Sequence, residues 1–258
     1  MLSANQIKSI NALKLKKNRE DRRQFIAEGS KLVIDLLHSD YKVQEILATP
    51  EWIELNHAIL LRAKILYRSV NEKEIARITA LNTPSPVLAV VEIPSLTLHP
   101  DSFTDKLILA LDDIRDPGNL GTIIRIADWF GIDAVLCSET SVDLYNPKVV
   151  QATMGSFARV RIHYTDLAGL FPKLPENIKV YGAFLEGDSI YTKELSDKGV
   201  IIIGNESNGI SAGLEKFVTD RLFIPPCKSG KKQDDHAESL NASVAAAIIC
   251  SEFKRRIF

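Results

Sequence analysis

The sequence predicts an α/β protein in two parts, the second built on a mostly parallel sheet. Downstream of residue 104, short apolar runs ("LILAL", "AVLCS", "VRIHY", "VYGAFL", "VIIIG", "RLFIP") alternate with helical segments around 119–130, 146–157, 166–172, 211–218 and 239–255. Strands that are apolar throughout and separated by helices belong to parallel sheets covered on both faces. Upstream, strands and helices also alternate, over a shorter span. Between the two parts, Pro84, Pro86, Pro94 and Pro100 punctuate "NTPSPVLAVVEIPSLTLHPDSFTDK", with Ser, Thr and Asp crowding its second half.

In chain order, the first part reads as a helix over 4–18, the strand "QFIAE", the helix "SKLVIDLLHS" and the strand "VQEILAT". Shorter helices follow around "EWIELNHAILLRAK" and "NEKEIARITAL", and the buried strand "PVLAVVEI" closes the unit. The domains are therefore expected at 1–93 and 104–258, with 94–103 as linker.

A chain of 258 residues with 45% hydrophobic and 25% charged residues has an ordinary globular composition. No apolar run is long enough to span a bilayer and no signal-peptide pattern opens the chain, so no membrane association is expected. Cys137, Cys227 and Cys250 are widely spaced and form no CxxC pair or Cys/His cluster. That pattern predicts a cytoplasmic protein without a bound metal. Asp234, Asp235, His236 and Glu238 sit among Gly, Ser and Lys and read as a solvated loop.

A net charge of −1 argues against polyanion binding by whole-chain electrostatics. Charge is local, however. Lys8, Lys14, Lys16, Lys17, Arg19, Arg22, Arg23 and Lys31 face only Glu20, Asp21 and Glu28 in the opening segment. Such a cluster is either a solvated helical face or a patch that tracks nucleic-acid phosphates; composition does not choose.

In parallel α/β sheets, ligands bind beyond the carboxyl ends of the strands. After "LILAL" comes "DDIRDPGNLGTIIRIADWFG", a strand–glycine–helix outline like a dinucleotide loop. Only Gly118 and Gly121 are present, without a third glycine at the required spacing, which argues against a nicotinamide-dependent dehydrogenase. Leu120, Ile123, Ile124, Ala127 and Phe130 make one apolar stripe at helical spacing, so Arg125 points away from the core. Asn119 could be a helix cap. After "VIIIG", Glu206 lies between Gly204 and Gly209 in "GNESNGI"; after "RLFIP" and a polar run, "SLNASVA" begins the last helix, with Ser239 or Asn241 as a candidate cap.

"NLGTIIRIADWFG", "GNESNGI" and "SLNASVA" together resemble the three motifs of the SpoU-type (TrmH-like) branch of the SPOUT methyltransferases, and the likeness covers about residues 104–258. "RRQFIAEGSKLVIDLL" and "NTPSPVLAVV" resemble the RNA-binding domain of such enzymes, related in fold to ribosomal proteins that grip RNA stem-loops. The resemblance implies methyl transfer from S-adenosylmethionine to a ribose 2′-hydroxyl in RNA, a deep trefoil knot near the C-terminus, and a homodimer. Ribosomal RNA is favoured over transfer RNA, because the N-terminal domain resembles that of ribosomal-RNA members.

Residue by residue, the resemblance makes Arg125 the group that activates the 2′-hydroxyl, with Asn119 positioning it and Glu206 organising the site. Ser239 and Asn241 would flank both ligands. Gly204, Ile224 and Leu240 would hold the cofactor. Lys14, Lys16, Lys17, Arg19, Arg22 and Arg23 would meet RNA. Arginine is an unusual base, its ordinary pKa lying above ~12. It either loses its proton in the site or stays cationic beside the developing alkoxide while another group takes the proton.

The segment Cys227–Glu238 is longer than the family's usual link, and Pro226 and Cys227 depart from its usual residues. It is expected to be mobile without RNA, with Lys228, Lys231 and Lys232 meeting phosphate. A non-catalytic RNA-binding protein on the same fold is the alternative, against which the complete motif set argues.

Overall fold

The computed structural model describes residues 1–175, 177–226 and 238–255. The first elements are α1 (Ala4–Ala12), α2 (Lys16–Arg22), β1 (Gln24–Glu28), α3 (Ser30–Leu37), β2 (Val43–Ala48), α4 (Pro50–Leu55), α5 (His57–Ala63), β3 (Tyr67–Ser69), α6 (Glu72–Ile78) and β4 (Val87–Glu92). Then follow β5 (Leu107–Leu111), α7 (Pro117–Trp129), β6 (Ala134–Ser138), α8 (Pro147–Ala152), β7 (Arg161–Thr165) and α9 (Leu167–Leu170). The chain continues through β8 (Val180–Phe184), β9 (Asp188–Ser189), β10 (Gly199–Ile203), α10 (Ala212–Glu215), β11 (Asp220–Phe223) and α11 (Ala242–Arg255). Two compact units result: Met1–Leu96 with Asp143–Arg159, and Thr97–Val142 with Val160–Phe258.

The first unit is a four-stranded sheet in the order β1-β4-β2-β3, with β4 antiparallel to both its neighbours and β3 parallel to β2. Ile7, Ile10 and Leu13 bury one face of α1 in a core with Ile26, Leu47, Ile75 and Leu88. The single helix expected over 4–18 is two helices. Leu15 takes an extended conformation, and Arg19 Nη1 donates to the carbonyls of Leu13 and Lys14, each at 2.9 Å. A guanidinium that captures those carbonyls stabilises a turn where the helix would otherwise continue. The three-residue β3 was not anticipated, being too short to show a period.

Asp143–Arg159 belongs to this unit through specific contacts. Arg19 Nη2 meets Asp143 Oδ2 at 2.5 Å with side chains only 3% and 19% exposed. The Phe25 ring lies 4.6 Å from that of Tyr145, and Tyr41 lies 5.2 Å from Phe157. Burial pushes the hydroxyls of Tyr41 and Tyr145 up from their ordinary value. Gly155, at φ +90, is required because a Cβ there would lie 2.6 Å from Asp35 Oδ2. A boundary drawn along the chain cannot reassign an internal segment in this way.

In the second unit, the strand order is β7-β6-β5-β10-β8-β11-β9, with every pair parallel. The fully apolar strands predicted this, since Leu107–Leu111, Ala134–Ser138 and Gly199–Ile203 are buried along their whole length. Ile108, Ala110, Leu136, Val200 and Ile202 face Leu167, Leu170, Phe171 and Leu214 in one core. From β5 the chain steps outward through β6 to β7, whereas β10 lies on the other flank of β5. The adjoining ends of β5 and β10 are thus where strand order reverses, the place such sheets offer a ligand. Among the described residues, no helix is long and apolar enough to cross a membrane.

Candidate active site

The edge begins with the turn from β5 into α7. Asp116 caps this helix, its Oδ1 accepting the Asn119 amide at 2.8 Å, and Pro117 occupies the first turn. Asn119 is therefore not the cap, and its side chain is released for another partner. Leu120, Ile123, Ile124 and Ala127 are buried and Arg125 is exposed, as the helical phase requires. Arg125 makes no hydrogen bond or ion pair among the described residues. It stands six residues after Asn119, about 9 Å farther along the helix axis at 1.5 Å per residue.

Beyond β10, the chain turns back on itself. Asn205 and Gly209 exchange main-chain hydrogen bonds at 3.0 and 2.9 Å. The return is so tight that a Cβ on Gly204 would lie 2.3 Å from the carbonyl carbon of Gly209, so no side chain can stand there. Glu206, exposed at the tip, accepts a hydrogen bond from Asn119 Nδ2. Two motifs separated by more than eighty residues thus meet side chain to side chain.

Register places the cofactor candidates at one edge. Ile202 pairs with Gly182 and Phe184 with Phe223, so Gly204, Phe184 and Phe223 lie level across three neighbouring strands. Ile224 is the next residue and is half-buried. The residues 185–187 that follow β8 lie between the two predicted cofactor loops. They were not anticipated; their signal was position after a buried strand alone. Leu240 is 46% exposed. Ser239 is exposed, and Asn241 rather than Ser239 supports the start of α11, its Oδ1 accepting Ser243 N at 2.9 Å and Ser243 Oγ at 2.7 Å. The structure therefore joins Asn119 to Glu206, and among the described residues no hydrogen bond or ion pair links that pair to Arg125, Ser239 or Asn241. Among the described residues, no group of His, Cys, Asp and Glu could hold a metal ion.

The basic segment of the first unit is largely occupied by its own fold. Arg19 is 2% exposed with its donors spent on Asp143 and two carbonyls, which makes it a structural residue and corrects its assignment to RNA. Lys14 Nζ donates to Thr79 O at 2.6 Å, and Arg22 to Ser9 Oγ at 2.7 Å. Arg23 holds the carbonyls of Ile93 and Pro94. Lys16 is 58% exposed and only 3.6 Å from Glu20, and Lys17 is exposed, so these two present charge outward. Lys228, Lys231 and Lys232, with the rest of the expected mobile segment up to residue 237, lie outside the described residues.

Comparison with known proteins follows the same lines. Residues 106–251 match the model of the SpoU rRNA Methylase family, and residues 4–89 that of the MRM3-like substrate binding domain. The 23S rRNA (guanosine(2553)-2′-O)-methyltransferase RlmP of Bacillus subtilis is 32% identical over 94% of this chain and 93% of its own length. A TrmH-family protein from Porphyromonas gingivalis is 37% identical, with a TM-score of 0.85 over 99% of both chains. An AdoMet-bound rRNA methyltransferase from Sinorhizobium meliloti is 30% identical, with a TM-score of 0.84 over 100% of this chain and 98% of its own. With the family model spanning more than half of its length and the strand-end geometry in place, this chain belongs to the SpoU rRNA methylase family.

Proposed function

We propose that this protein transfers the methyl group of S-adenosylmethionine to a ribose 2′-hydroxyl of ribosomal RNA. The observation that carries the reading is the bond between Asn119 and Glu206 across the adjoining ends of β5 and β10, with the exposed Arg125 on the same helix. The 23S rRNA activity of the Bacillus subtilis relative and the AdoMet-bound state of the Sinorhizobium meliloti neighbour support the substrate and the cofactor.

The residues present fit the cofactor's demands. The Gly204 turn excludes a side chain, so it meets a ligand with main-chain groups, while Ile224 and Leu240 offer apolar surface. These three would hold S-adenosylmethionine, which when bound supplies a methyl already activated by its sulfonium. The protein's remaining task is to orient a very weak acid, the ribose hydroxyl, and to stabilise the charge that develops on its oxygen. Arg125 presents a fork of donors suited to that oxygen. Asn119 and Glu206 fix one another and so restrict the space in which the ribose can sit. Asn241 commits its Oδ1 to α11, which leaves its amide nitrogen for a ligand.

The finer features belong to the same reading. The cofactor loops would form a trefoil knot, and two copies would pair as a homodimer in the cytoplasm, without metal. Residues 1–93 would recognise RNA with Lys16 and Lys17 outward, and Lys228, Lys231 and Lys232, within the transferase domain at 104–258, would meet phosphate.

The test uses the full chain with methyl-tritiated S-adenosylmethionine and, separately, ribosomal and transfer RNA from cells lacking the protein. Label in alkali-resistant dinucleotides of ribosomal RNA is expected, because a 2′-O-methyl group blocks cleavage of the adjoining phosphodiester. Label released in mononucleotides would mean base methylation and overturn the reading; label confined to transfer RNA would move the substrate.

A further inference from the structure

The Asn119–Glu206 bond requires two separate loops to arrive in register, and the structure contains a device that joins them. Asn205 stands immediately before Glu206. Its Oδ1 accepts the amides of Ser207 and Asn208 at 2.9 and 3.1 Å, which folds the tip of the turn around Glu206. Its Nδ2 reaches in the opposite direction and donates to the carbonyl of Asp113 at 2.9 Å. One side-chain amide thus spans both loops, using its acceptor for one and its donor for the other.

The receiving loop is itself held on two sides. Asp113 adopts φ +58, uncommon for a residue with a side chain, and its amide donates to Ser138 Oγ at 2.9 Å. Ile114 N donates to Ser141 Oγ at 3.1 Å. On the β10 side, the buried carboxylate of Asp112, 6% exposed, accepts Ser211 N at 2.7 Å. The Asp113 carbonyl is consequently a fixed point at which Asn205 can anchor the turn.

We infer that Asn205 is a positioning residue for the reaction, coupling the β5 and β10 loops so that Glu206 meets Asn119 in the geometry the ribose requires. It acts through Glu206 and touches neither reacting atom. This inference rests on the methyl-transfer reading above.

The substitution that isolates the coupling is Asn205→Asp. It keeps an oxygen for the Ser207 and Asn208 amides and sets a second oxygen against the Asp113 carbonyl, where a donor stood. Wild type, Asn205→Asp, Glu206→Ala and the double variant are compared by tritiated methyl transfer to ribosomal RNA from cells lacking the protein. Asn205→Asp is expected to lower kcat by about 10- to 100-fold, as small misplacements of a site do, with KM changing by less than about threefold. In the Glu206→Ala background, the same change is expected to cost little further, since the acceptor through which it acts has been removed. An equal penalty in both backgrounds, or wild-type turnover in Asn205→Asp, would overturn the inference. Should Asn205→Asp fail to fold, Asn205→Ser replaces it, able to accept from the turn but too short to reach Asp113. Absence of transfer by wild type would overturn the reaction itself, and the role of Asn205 with it.

Discussion

The basic helices at the start of the chain and the carboxyl edge of the parallel sheet make opposite use of their polar groups. Over residues 8–31, cations are dense, yet Arg19, Arg22, Arg23 and Lys14 donate to carboxylate, hydroxyl or carbonyl groups of their own unit. At the sheet edge, cations are few, but Arg125 is exposed without a partner among the described residues and Glu206 is held in place by Asn119. The difference teaches that charge density marks a binding face poorly. Where each donor goes decides whether it is available for a ligand.

The contrast has measurable consequences. At the sheet edge, Arg125→Ala should reduce methyl transfer by about a thousandfold, the scale of losing a preorganised donor at developing charge. Cofactor affinity measured by calorimetry should stay near wild type, because the loops assigned to the cofactor lie at other strand ends. In the basic segment, Arg19→Ala should act on stability instead. It leaves the largely buried Asp143 carboxylate without its partner, for a loss of about 3 kcal/mol in urea unfolding. Lys16→Ala with Lys17→Ala should leave stability nearly unchanged and weaken RNA binding, lowering the slope of log affinity against log salt by about 2.

The smallest effect concerns pH. Burial and then the Arg161 charge lower the pKa of His163 below its ordinary value. The unfolded chain therefore binds a proton that the folded chain resists, and stability falls as pH drops from about 6.5 toward the lowered folded value. His163→Gln should flatten that part of the stability profile, read from unfolding curves between neutral and mildly acidic pH.

Much of the second unit was legible because its central strands are continuous apolar runs and α7 has a clear stripe. The stripe through Leu120, Ile123 and Ile124 oriented Arg125 without any coordinates. What was not legible depended on contacts distant in sequence. Nothing local in "KLKKNREDRR" reveals that Arg19 turns inward, because its partner Asp143 lies 124 residues away. The Asn119 cap reading failed for a local reason: Asp116, three residues earlier, is the better-placed acceptor. Asn205 lay within a recognised motif, but its function as a two-way link appears only when Asp113 is brought beside it. The reach of Asp143–Arg159 into the first unit likewise follows from an aromatic cluster that periodicity does not encode.

The central claim is that the strand-end site acts on ribose hydroxyls of ribosomal RNA through Arg125. Ribose 2′-O-methylation should be mapped across the ribosomal RNA of cells with the protein, without it, and with only its Arg125→Ala form. A methylated position that disappears on deletion and is not restored by Arg125→Ala is the predicted result. An unchanged methylation map on deletion, or full restoration by Arg125→Ala, would contradict it.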